Sequence, residues 1–436
     1  MRRRTYDSHA RRESALMSTA ASPEDTALIV GAGHAAGECA TSIRDQGWAG
    51  RIVLVGEEPH LPYQRPPLSK AFLSGELSAE QLYLKPQATY DKARIEFIPN
   101  TRAERIDRAA HTVALSDGRE LGYSKLVIAT GGHARRLALP GIEAIEKQPN
   151  FHYLRTLDHV ARIRTQFHAG ARLVIIGGGY IGLEVAAIAV RRGLHVTVLE
   201  ALPRVLARVT APELSAFYER VHREAGVDVR TSTAVSGFEV DASGYAVAAV
   251  VCADGSRIPA DLVIVGVGLQ PATDLAVAAG LAVDNGIVVD EHTRTSDPDI
   301  FAIGDCTNHP NGLLGRRLRL ESVPNAMEQA RTAAATLCCK ERVYNSVPWF
   351  WSDQYDLKLK MVGLSQGYDE FVLRGAPESR SFSAFYLKDG VMLAADTVSR
   401  PQEFMLAKRF VGEKIPVRAT ELADDSIPLK SLLPAA

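Results

Sequence analysis

Two short glycine-rich segments constrain what this sequence can fold into. Gly31–Ala36 reads Gly-Ala-Gly-His-Ala-Ala, and Gly177–Gly182 reads Gly-Gly-Gly-Tyr-Ile-Gly. In this pattern the first glycine permits a tight turn from strand to helix, the second lets backbone approach a pyrophosphate, and the small third residue allows close helix packing. Because the helix N-terminus that follows carries a partial positive charge, each segment predicts a binding site for one dinucleotide.

The sequence on either side of each glycine segment supports this interpretation. Apolar runs rich in β-branched residues precede the two turns, at 26–30 and 171–176, and amphipathic segments follow them. A second apolar run then ends in an acid, which is Glu57 in the first copy and Glu200 in the second. A carboxylate about 20 residues beyond the turn can accept hydrogen bonds from a ribose diol. The alternative, two ordinary strand-to-helix turns, requires this context to recur by chance.

The chain therefore looks internally duplicated. An apolar strand that opens into glycines follows each copy, at Ser124–Gly132 and again at Asp261–Pro271. A further strand ends in Gly-Asp at Asp305 and is expected to return the chain to the first domain. Asp305 could there accept hydrogen bonds from a polyhydroxyl chain such as ribityl, or it could act as a helix N-cap. From about Tyr344, aromatic residues alternate with turn residues, which predicts a small third domain with a sheet.

Length, charge and cysteine usage exclude several classes of protein. The 436 residues suggest about three domains, and 50 Lys and Arg against 51 Asp and Glu argue against nucleic-acid binding. No apolar run is long enough to span a membrane. Five cysteines without a framework of spaced pairs favour the reducing cytoplasm. We expect residues 1–24 to form a flexible tail, with Met17 as a possible initiator; an arginine-rich targeting peptide is the alternative.

Five stretches of the sequence together carry a family resemblance. They are Arg65–Lys70, Gly177–Glu184, Thr295–Pro298, Glu321–Ala326 and Pro348–Tyr355. In this order they resemble the FAD-dependent, NADH-linked ferredoxin reductases that serve bacterial oxygenases, and the similarity runs from about Thr26 to the C-terminus. The resemblance implies an α/β fold with two Rossmann-like, glutathione-reductase-like domains and a small α+β C-terminal domain. The implied boundaries are 25–134 with 259–343 for the FAD domain, 135–258 for the NADH domain and 344–436 for the C-terminal domain, which would cover the flavin.

The resemblance also assigns residues to two cofactors, and no metal site is expected. Non-covalent FAD is expected on Gly31, Gly33, Ala35, Glu57, Lys70, Ala103, Arg155, Asp305 and Val323. NADH is expected on Gly177, Gly178, Gly179, Tyr180, Ile181, Gly182 and Glu200, with Gly268 nearby. A carboxylate at Glu200 would accept both ribose hydroxyls of NADH and repel a 2′-phosphate, although Arg204 keeps NADPH open as an alternative.

Three residues are predicted to act in the chemistry. Lys70 is expected to reach the N5 side of the flavin, where a positive charge favours the anionic reduced ring. Glu184, in the first turn of the second-copy helix, is expected to face the same region and to pair with Lys70. The alternative is an exposed lysine and a glutamate favoured only by the helix dipole. Trp351 could cover the flavin edge as an exit for electrons, whereas composition alone favours a core residue.

The cysteine positions distinguish related activities. Disulfide reductases of related layout place a redox cysteine pair beside the flavin, and peroxide- or oxygen-reducing relatives a single cysteine, where this chain has Pro66–Lys70. Electrons are therefore expected to pass directly to a small [2Fe-2S] ferredoxin that supplies a haem monooxygenase or a similar oxygenase. The alternatives are an NADH oxidase or small-molecule flavin reductase, and an NADH-responsive flavoprotein that controls partner binding. Candidate residues for docking an acidic ferredoxin are Arg316, Arg317, Arg319, Arg331 and Lys85; the alternative is that they form a solvated face.

Overall fold

The structure is a computed structural model that describes residues 21–434, so most of the predicted N-terminal tail lies outside the described residues. The strands are β1 Thr26–Val30, β2 Arg51–Val55, β3 Ile95–Ile98, β4 Ala103–Asp107, β5 Thr112–Leu115, β6 Glu120–Gly122, β7 Lys125–Ile128, β8 Gly132–Ala134, β9 Phe151–Tyr153, β10 Arg172–Ile176, β11 His195–Leu199, β12 Asp228–Arg230, β13 Val235–Val240, β14 Val247–Cys252, β15 Arg257–Pro259, β16 Leu262–Val265, β17 Leu269–Pro271, β18 Ile287–Val288, β19 Ile300–Ala302, β20 Thr307–Asn311, β21 Arg316–Leu318, β22 Trp349–Gln354, β23 Leu357–Gly363, β24 Glu370–Ala376, β25 Ser381–Lys388 and β26 Val391–Val398. The α-helices are α1 His34–Asp45, α2 Gln87–Lys92, α3 Ile142–Ile145, α4 Leu157–Arg164, α5 Tyr180–Arg191, α6 Pro212–Glu224, α7 Asp274–Ala278, α8 Val323–Leu337, α9 Pro401–Glu413 and α10 Ala419–Ala423.

These elements form two compact units, and neither is one continuous piece of chain. Unit 1 contains the described residues up to Tyr63, Leu84–Gly131 and Pro271–Ser346. Unit 2 contains Gln64–Tyr83, Gly132–Gln270 and the chain from Val347 onward. The segment Gln64–Tyr83, which the sequence assigned to the FAD domain, thus belongs to the unit that carries the second glycine turn. The three-domain division stays a prediction.

Unit 1 is built around a five-stranded parallel sheet with the order β19-β7-β1-β2-β3. Its central strands are apolar and almost fully buried, as strands of a parallel sheet covered on both faces must be. One face packs against the three-stranded sheet β4-β5-β6 through a shared apolar cluster. The helix α1 packs along α8 within this unit.

Unit 2 contains a second five-stranded parallel sheet with the order β12-β11-β10-β16-β9. It also contains the small sheet β13-β14-β15, which shares an apolar cluster with the parallel sheet, and the antiparallel sheet β22-β23-β26-β25-β24. This third sheet is the one predicted from the aromatic residues after Tyr344, and α9 packs on its strands β23 and β26.

The order of strands confirms the predicted duplication. In each parallel sheet the strand before the glycine turn lies between the strand that ends in an acid and the strand that opens into glycines. The strand order therefore reverses beside β1 in one unit and beside β10 in the other, which is where α/β folds bind ligands. No helix within residues 21–434 is long and apolar enough to cross a membrane.

Candidate functional site

The first glycine turn joins β1 to α1 in unit 1. Gly31 has a backbone φ of +105°, and a β-carbon there would overlap the carbonyl oxygen of Ala129. Only glycine tolerates this combination of a left-handed conformation and a close backbone approach. Gly33 is the N-cap of α1 and faces open space, since a β-carbon built on it would have no atom of residues 21–434 within 4 Å other than those of its chain neighbours. The turn thus leaves a clear approach to the start of the helix.

The second glycine turn joins β10 to α5 in unit 2 and has the same construction. Gly177 has a φ of +112°, and a β-carbon there would overlap the carbonyl oxygen of Gly266. Gly182 packs so closely on the carbonyl of Gly177 that any side chain would push the helix away. Gly179 is the N-cap of α5 and, like its counterpart in the first turn, faces open space.

Both helix starts have the features of a phosphate site. Neither N-cap is satisfied by a side chain, whereas the N-cap Ser322 of α8 accepts a hydrogen bond from the amide of Asn325. The first amide groups of α1 and α5 therefore lack intrahelical acceptors beside the open space at each N-cap glycine. His34 adds a buried Nδ1 atom that has no hydrogen-bond partner among residues 21–434. The two turns thus fit the pyrophosphate groups of two dinucleotides.

Glu200 follows β11 and is held against the second turn. Its Oε2 accepts a hydrogen bond of 2.7 Å from the amide of Gly178, and its Oε1 accepts one of 2.8 Å from the amide of Leu202. A β-carbon at Gly178 would lie 3.1 Å from Glu200, so the glycine is needed for this approach. Each carboxylate oxygen keeps a second lone pair, with which it can accept a hydrogen bond from a hydroxyl of a ribose.

Arg204 is hydrogen-bonded to other groups of the protein. Its guanidinium donates to the carbonyl oxygens of Ala207 at 3.0 Å and Thr210 at 2.8 Å, and to the hydroxyl of Ser215 at 2.5 Å. Through these three hydrogen bonds, Arg204 stabilises the loop after Glu200. A 2′-phosphate would have to compete with all of them.

The other FAD residues predicted in unit 1 are distributed over several elements. Glu57 lies exposed two residues after the end of β2, Ala103 opens β4, Asp305 lies in the 3₁₀ turn after β19, and Val323 is the first residue of α8. Gly304 has a φ of +82°, and a β-carbon on it would lie 3.1 Å from that of Ala35. The chain after β19 therefore passes directly beside the first turn, as the Gly-Asp signal predicted.

The remaining cofactor residues predicted in unit 2 surround the second turn and its neighbours. Arg155 donates from Nε to the carbonyl of Gly132 at 2.9 Å, and Gly268, with a φ of +113°, follows β16. The hydroxyl of Tyr180 contacts the sulfur of Met361, and burial raises its pKa well above the usual value of 10.0. Ile181, by contrast, is 46% exposed.

Lys70 and Glu184 form the predicted pair. The ammonium Nζ of Lys70 lies 2.6 Å from Oε2 of Glu184 and also donates to the carbonyl of Pro66 at 3.2 Å. Glu184 is 2% exposed, and it accepts further hydrogen bonds from the hydroxyls of Ser69 at 2.5 Å and Ser352 at 2.6 Å. The alternative of an exposed lysine and a dipole-favoured glutamate is therefore wrong. The role of the pair beside a flavin stays a prediction.

Trp351 lies on β22, where alternate residues face opposite sides. Phe350, Ser352 and Gln354 share one face, and Phe350 lies 5.4 Å from the ring of Tyr180. Trp351 is on the other face, half-buried, with its ring 5.6 Å from that of Trp349. The tryptophan is thus not fully in the core, and its role as an electron exit stays a prediction.

Comparison with known proteins identifies the family from which this geometry comes. Residues 25–330 match the family model described as pyridine nucleotide-disulphide oxidoreductase, and residues 349–433 match the model of a reductase C-terminal domain. The chain belongs to the pyridine nucleotide-disulphide oxidoreductase family. The predicted fold class and the predicted cofactors, FAD and NADH, agree with membership of this family.

Individual relatives are similar over nearly their whole length. Putidaredoxin reductase CamA from Pseudomonas putida is 52% identical over 94% of this chain and 97% of the relative, and rhodocoxin reductase from Rhodococcus erythropolis is 42% identical over 92% and 93%. Among solved structures, the covalent putidaredoxin reductase–putidaredoxin complex superposes with a TM-score of 0.92 at 52% identity, covering 94% of this chain and 98% of the matched chain. The ferredoxin reductase for the CYP199A2 system from Rhodopseudomonas palustris gives 0.89 at 41% identity, covering 94% and 99%.

The cysteines of this family member do not form a redox pair. Cys39, Cys252 and Cys306 are buried, and none of the five cysteines, all of which lie within residues 21–434, is in a disulfide. Burial raises the pKa of Cys306, which lies in the turn that carries Asp305, to about 11, so it stays a protonated thiol at neutral pH. Pro66–Ser69 instead forms a 3₁₀ turn that presents Ser69 and Lys70 to Glu184.

Several polar residues that bind or support the Lys70–Glu184 pair are not among those predicted from the sequence. Ser69 and Ser352 bind Glu184 directly, while Gln354 and His222 continue the row of contacts within unit 2. The alternation of Ser352 and Gln354 on a strand otherwise rich in aromatics was the one available signal, because two polar residues on one face of a buried strand need partners. Nothing in the sequence of α6 indicates that His222 is their partner.

A second buried carboxylate, Asp396 on β26, anchors the loop that follows Glu200. Its Oδ2 accepts hydrogen bonds of 2.7 Å from the hydroxyls of Thr210 and Tyr386. Burial raises the pKa of Asp396 from 3.8 to about 6. Thr210 also accepts from Arg204, so the loop is fixed from two sides.

Three of the arginines predicted to dock a ferredoxin have partners within the protein. Arg317 donates to the carbonyls of Val289 and Asn308, Arg319 pairs with Glu321, and Arg331 pairs with Glu38 and Glu328. The carboxylates beside Arg319 and Arg331 offset part of the positive charge that would attract an acidic partner, whereas the neutral carbonyls beside Arg317 do not. The docking set stays a prediction.

Proposed function

We propose that this protein is an NADH-dependent ferredoxin reductase. It would pass a hydride from NADH to FAD and then single electrons to a [2Fe-2S] ferredoxin that supplies a haem monooxygenase or another oxygenase. Bound FAD accepts two electrons at once and releases them singly, which an iron–sulfur acceptor requires. Relatives with names such as putidaredoxin reductase and a solved reductase–putidaredoxin complex support this assignment.

One observation carries the proposal from the structure. The segment that holds a redox cysteine pair in disulfide reductases holds instead Ser69 and Lys70, bound to the buried carboxylate of Glu184. A lysine ammonium fixed there stabilises negative charge but cannot accept electrons. The electrons must therefore leave for an external carrier.

The residues divide the remaining tasks between the two units. In unit 1 the amides at the start of α1 would bind the FAD pyrophosphate, with Glu57 on the adenosine ribose and Asp305 on the ribityl chain. In unit 2 the amides at the start of α5 would bind the NADH pyrophosphate, with Glu200 on its ribose. We also propose the domain boundaries that the family resemblance implied, and a cytoplasmic location for the protein.

Purified protein tests the proposed function. We expect a flavin absorption spectrum that NADH bleaches, rapid turnover with [2Fe-2S] ferredoxins encoded beside the gene, and slow turnover with oxygen, quinones or NADPH. A colourless protein would contradict the proposal. Faster reduction of oxygen or a quinone than of ferredoxin would favour a small-molecule reductase instead, and slow NADH oxidation with a long-lived charge-transfer band would favour the interaction module.

A matched pair of variants assigns each glycine turn to its cofactor. Gly33 and Gly179 both face open space and have ordinary φ angles, so an alanine in either position fits the protein but blocks the approach of a phosphate. Gly179→Ala should raise the Kd for NADH by about tenfold or more, equivalent to at least about 1.4 kcal/mol, with normal FAD content. Gly33→Ala should instead raise the Kd for FAD by about tenfold or more and leave the Kd for NADH unchanged. Isothermal titration with each nucleotide measures both constants, and equal effects of the two variants on both nucleotides would contradict the assignment.

A further inference from the structure

A continuous row of hydrogen bonds runs from α6 to the Glu184 carboxylate within unit 2. Tyr355 Oη lies 3.0 Å from Nδ1 of His222, and Nε2 of His222 lies 2.9 Å from Oε1 of Gln354. Gln354 Nε2 lies 3.3 Å from the hydroxyl of Ser352, which lies 2.6 Å from Oε1 of Glu184. His222, Gln354, Ser352 and Glu184 are all at most 2% exposed, so water does not replace these partners.

The carboxylate fixes the direction of every bond in this row. Ser352 has one hydroxyl proton, and because Glu184 can only accept as a carboxylate, that proton is donated to Glu184. Ser352 must then accept from Gln354, which places the amide nitrogen toward Ser352 and the amide oxygen toward His222. With the opposite amide orientation, two acceptors would face each other in a buried site.

The same reasoning fixes the tautomer of His222. The oxygen of Gln354 can only accept, so Nε2 of His222 carries the proton and Nδ1 accepts from the hydroxyl of Tyr355. Desolvation lowers the pKa of His222 to about 4, which agrees with a neutral ring. All four donors thus point the same way, toward Glu184, and aligned hydrogen bonds polarise and strengthen one another.

We propose that His222 is a positioning residue, which through Gln354 and Ser352 delivers an aligned row of donors to Glu184 and so fixes the position of the Lys70 ammonium. The effect on the flavin rests on the proposed function, whereas the row of donors does not. Without His222 the buried oxygen of Gln354 loses its donor, so the amide turns toward another partner and its nitrogen no longer donates to Ser352. The hydrogen bond from Ser352 to Glu184 then loses the polarised row behind it and weakens. Glu184 and Lys70 then sample more than one arrangement.

Two variants at one position test the effect on the flavin. His222→Leu should shift the flavin midpoint potential to more negative values and slow flavin reduction at saturating NADH by about tenfold, the equivalent of one hydrogen bond, with an unchanged Kd for NADH. His222→Gln keeps a donor near the position of Nε2 and should recover most of both. The exposed His195, replaced by leucine, is the control and should change neither. A Leu variant that loses only thermal stability, or a Gln variant that recovers nothing, would overturn the proposal.

The tautomer itself is measured without any variant. In protein labelled with ¹⁵N-histidine, the row requires one ring with protonated Nε2 and bare Nδ1, unchanged across the pH range in which exposed histidines titrate. A resonance of His222 with protonated Nδ1, or one that titrates with the exposed histidines, would disprove the row. This readout holds even where His222→Leu fails to fold. This measurement also separates the two proposals. A protein that carries no flavin would contradict the proposed function, whereas the tautomer of His222 would still confirm or contradict the row of donors.

Discussion

Glu184→Ala is expected to cost about 3 to 5 kcal/mol of unfolding free energy, toward the lower end because Lys70 retains some access to water. The substitution removes the acceptor of three donors at once, namely the ammonium of Lys70 and the hydroxyls of Ser69 and Ser352. The side chain of Lys70 is only 17% exposed, so its charge cannot be fully rehydrated in place. Urea denaturation followed by circular dichroism measures the loss.

The double variant Lys70→Met/Glu184→Met distinguishes a buried pair from two independent side chains. Two apolar residues leave no charge stranded, so the double variant should lose less than the sum of the single losses. Glu96→Ala provides the matched control, because its pair with Arg51 is 45% to 48% exposed and should be worth less than about 1 kcal/mol. If Glu184→Ala cost no more than Glu96→Ala, the pair would not be the buried unit that the structure indicates.

Glu200→Ala is expected to lower kcat/KM for NADH by about 10- to 100-fold, since hydrogen bonds to a charged group are worth about 1.5 to 3 kcal/mol each. The FAD content should stay unchanged, because Glu200 belongs to the second turn alone. The variant should not gain NADPH activity, since Arg204 remains bound to Ala207, Thr210 and Ser215. Steady-state kinetics with both nucleotides give the two values.

Two further variants separate ribose recognition from support of the turn. Glu200→Gln keeps an acceptor for the amide of Gly178 but loses the charge, so it should fall between wild type and Glu200→Ala. Glu239→Ala removes a glutamate of the same unit that pairs with Arg257 and should leave both nucleotides unaffected. NADPH turnover that rose to the NADH level in Glu200→Ala would show that Arg204 leaves its present partners and binds the 2′-phosphate.

The glycine turns could be predicted from the sequence because their constraints are local. Gly31 and Gly177 must adopt positive φ angles beside a neighbouring strand, and no other residue type satisfies both conditions. The acids at the ends of β2 and β11 follow from the same repeating unit. The duplicated strand order therefore required no knowledge of distant contacts.

The polar contacts of Glu184 could not be predicted in the same way. Ser69 is 115 positions away from Glu184 and Ser352 is 168 positions away, and no pattern of spacing joins them. Arg204 is a second example, because its closeness to Glu200 in sequence kept a phosphate contact open as an alternative, whereas its acceptors are two backbone carbonyls and the hydroxyl of Ser215. The hydrogen-bond partners of a polar side chain depend on which groups lie near it in the folded protein, and composition and periodicity do not predict this.

The discontinuous sheet of unit 1 has a consequence for biosynthesis. The edge strand β19 pairs with β7, but it leaves the ribosome only after the whole intervening stretch of unit 2 has been translated. At about 5 to 20 residues per second this delay is on the order of ten to thirty seconds. During that interval β7 offers a free, strongly apolar edge to other chains. Slow translation or truncation ahead of Ile300 should therefore promote aggregation, and nascent-chain chaperones should be needed most in that window.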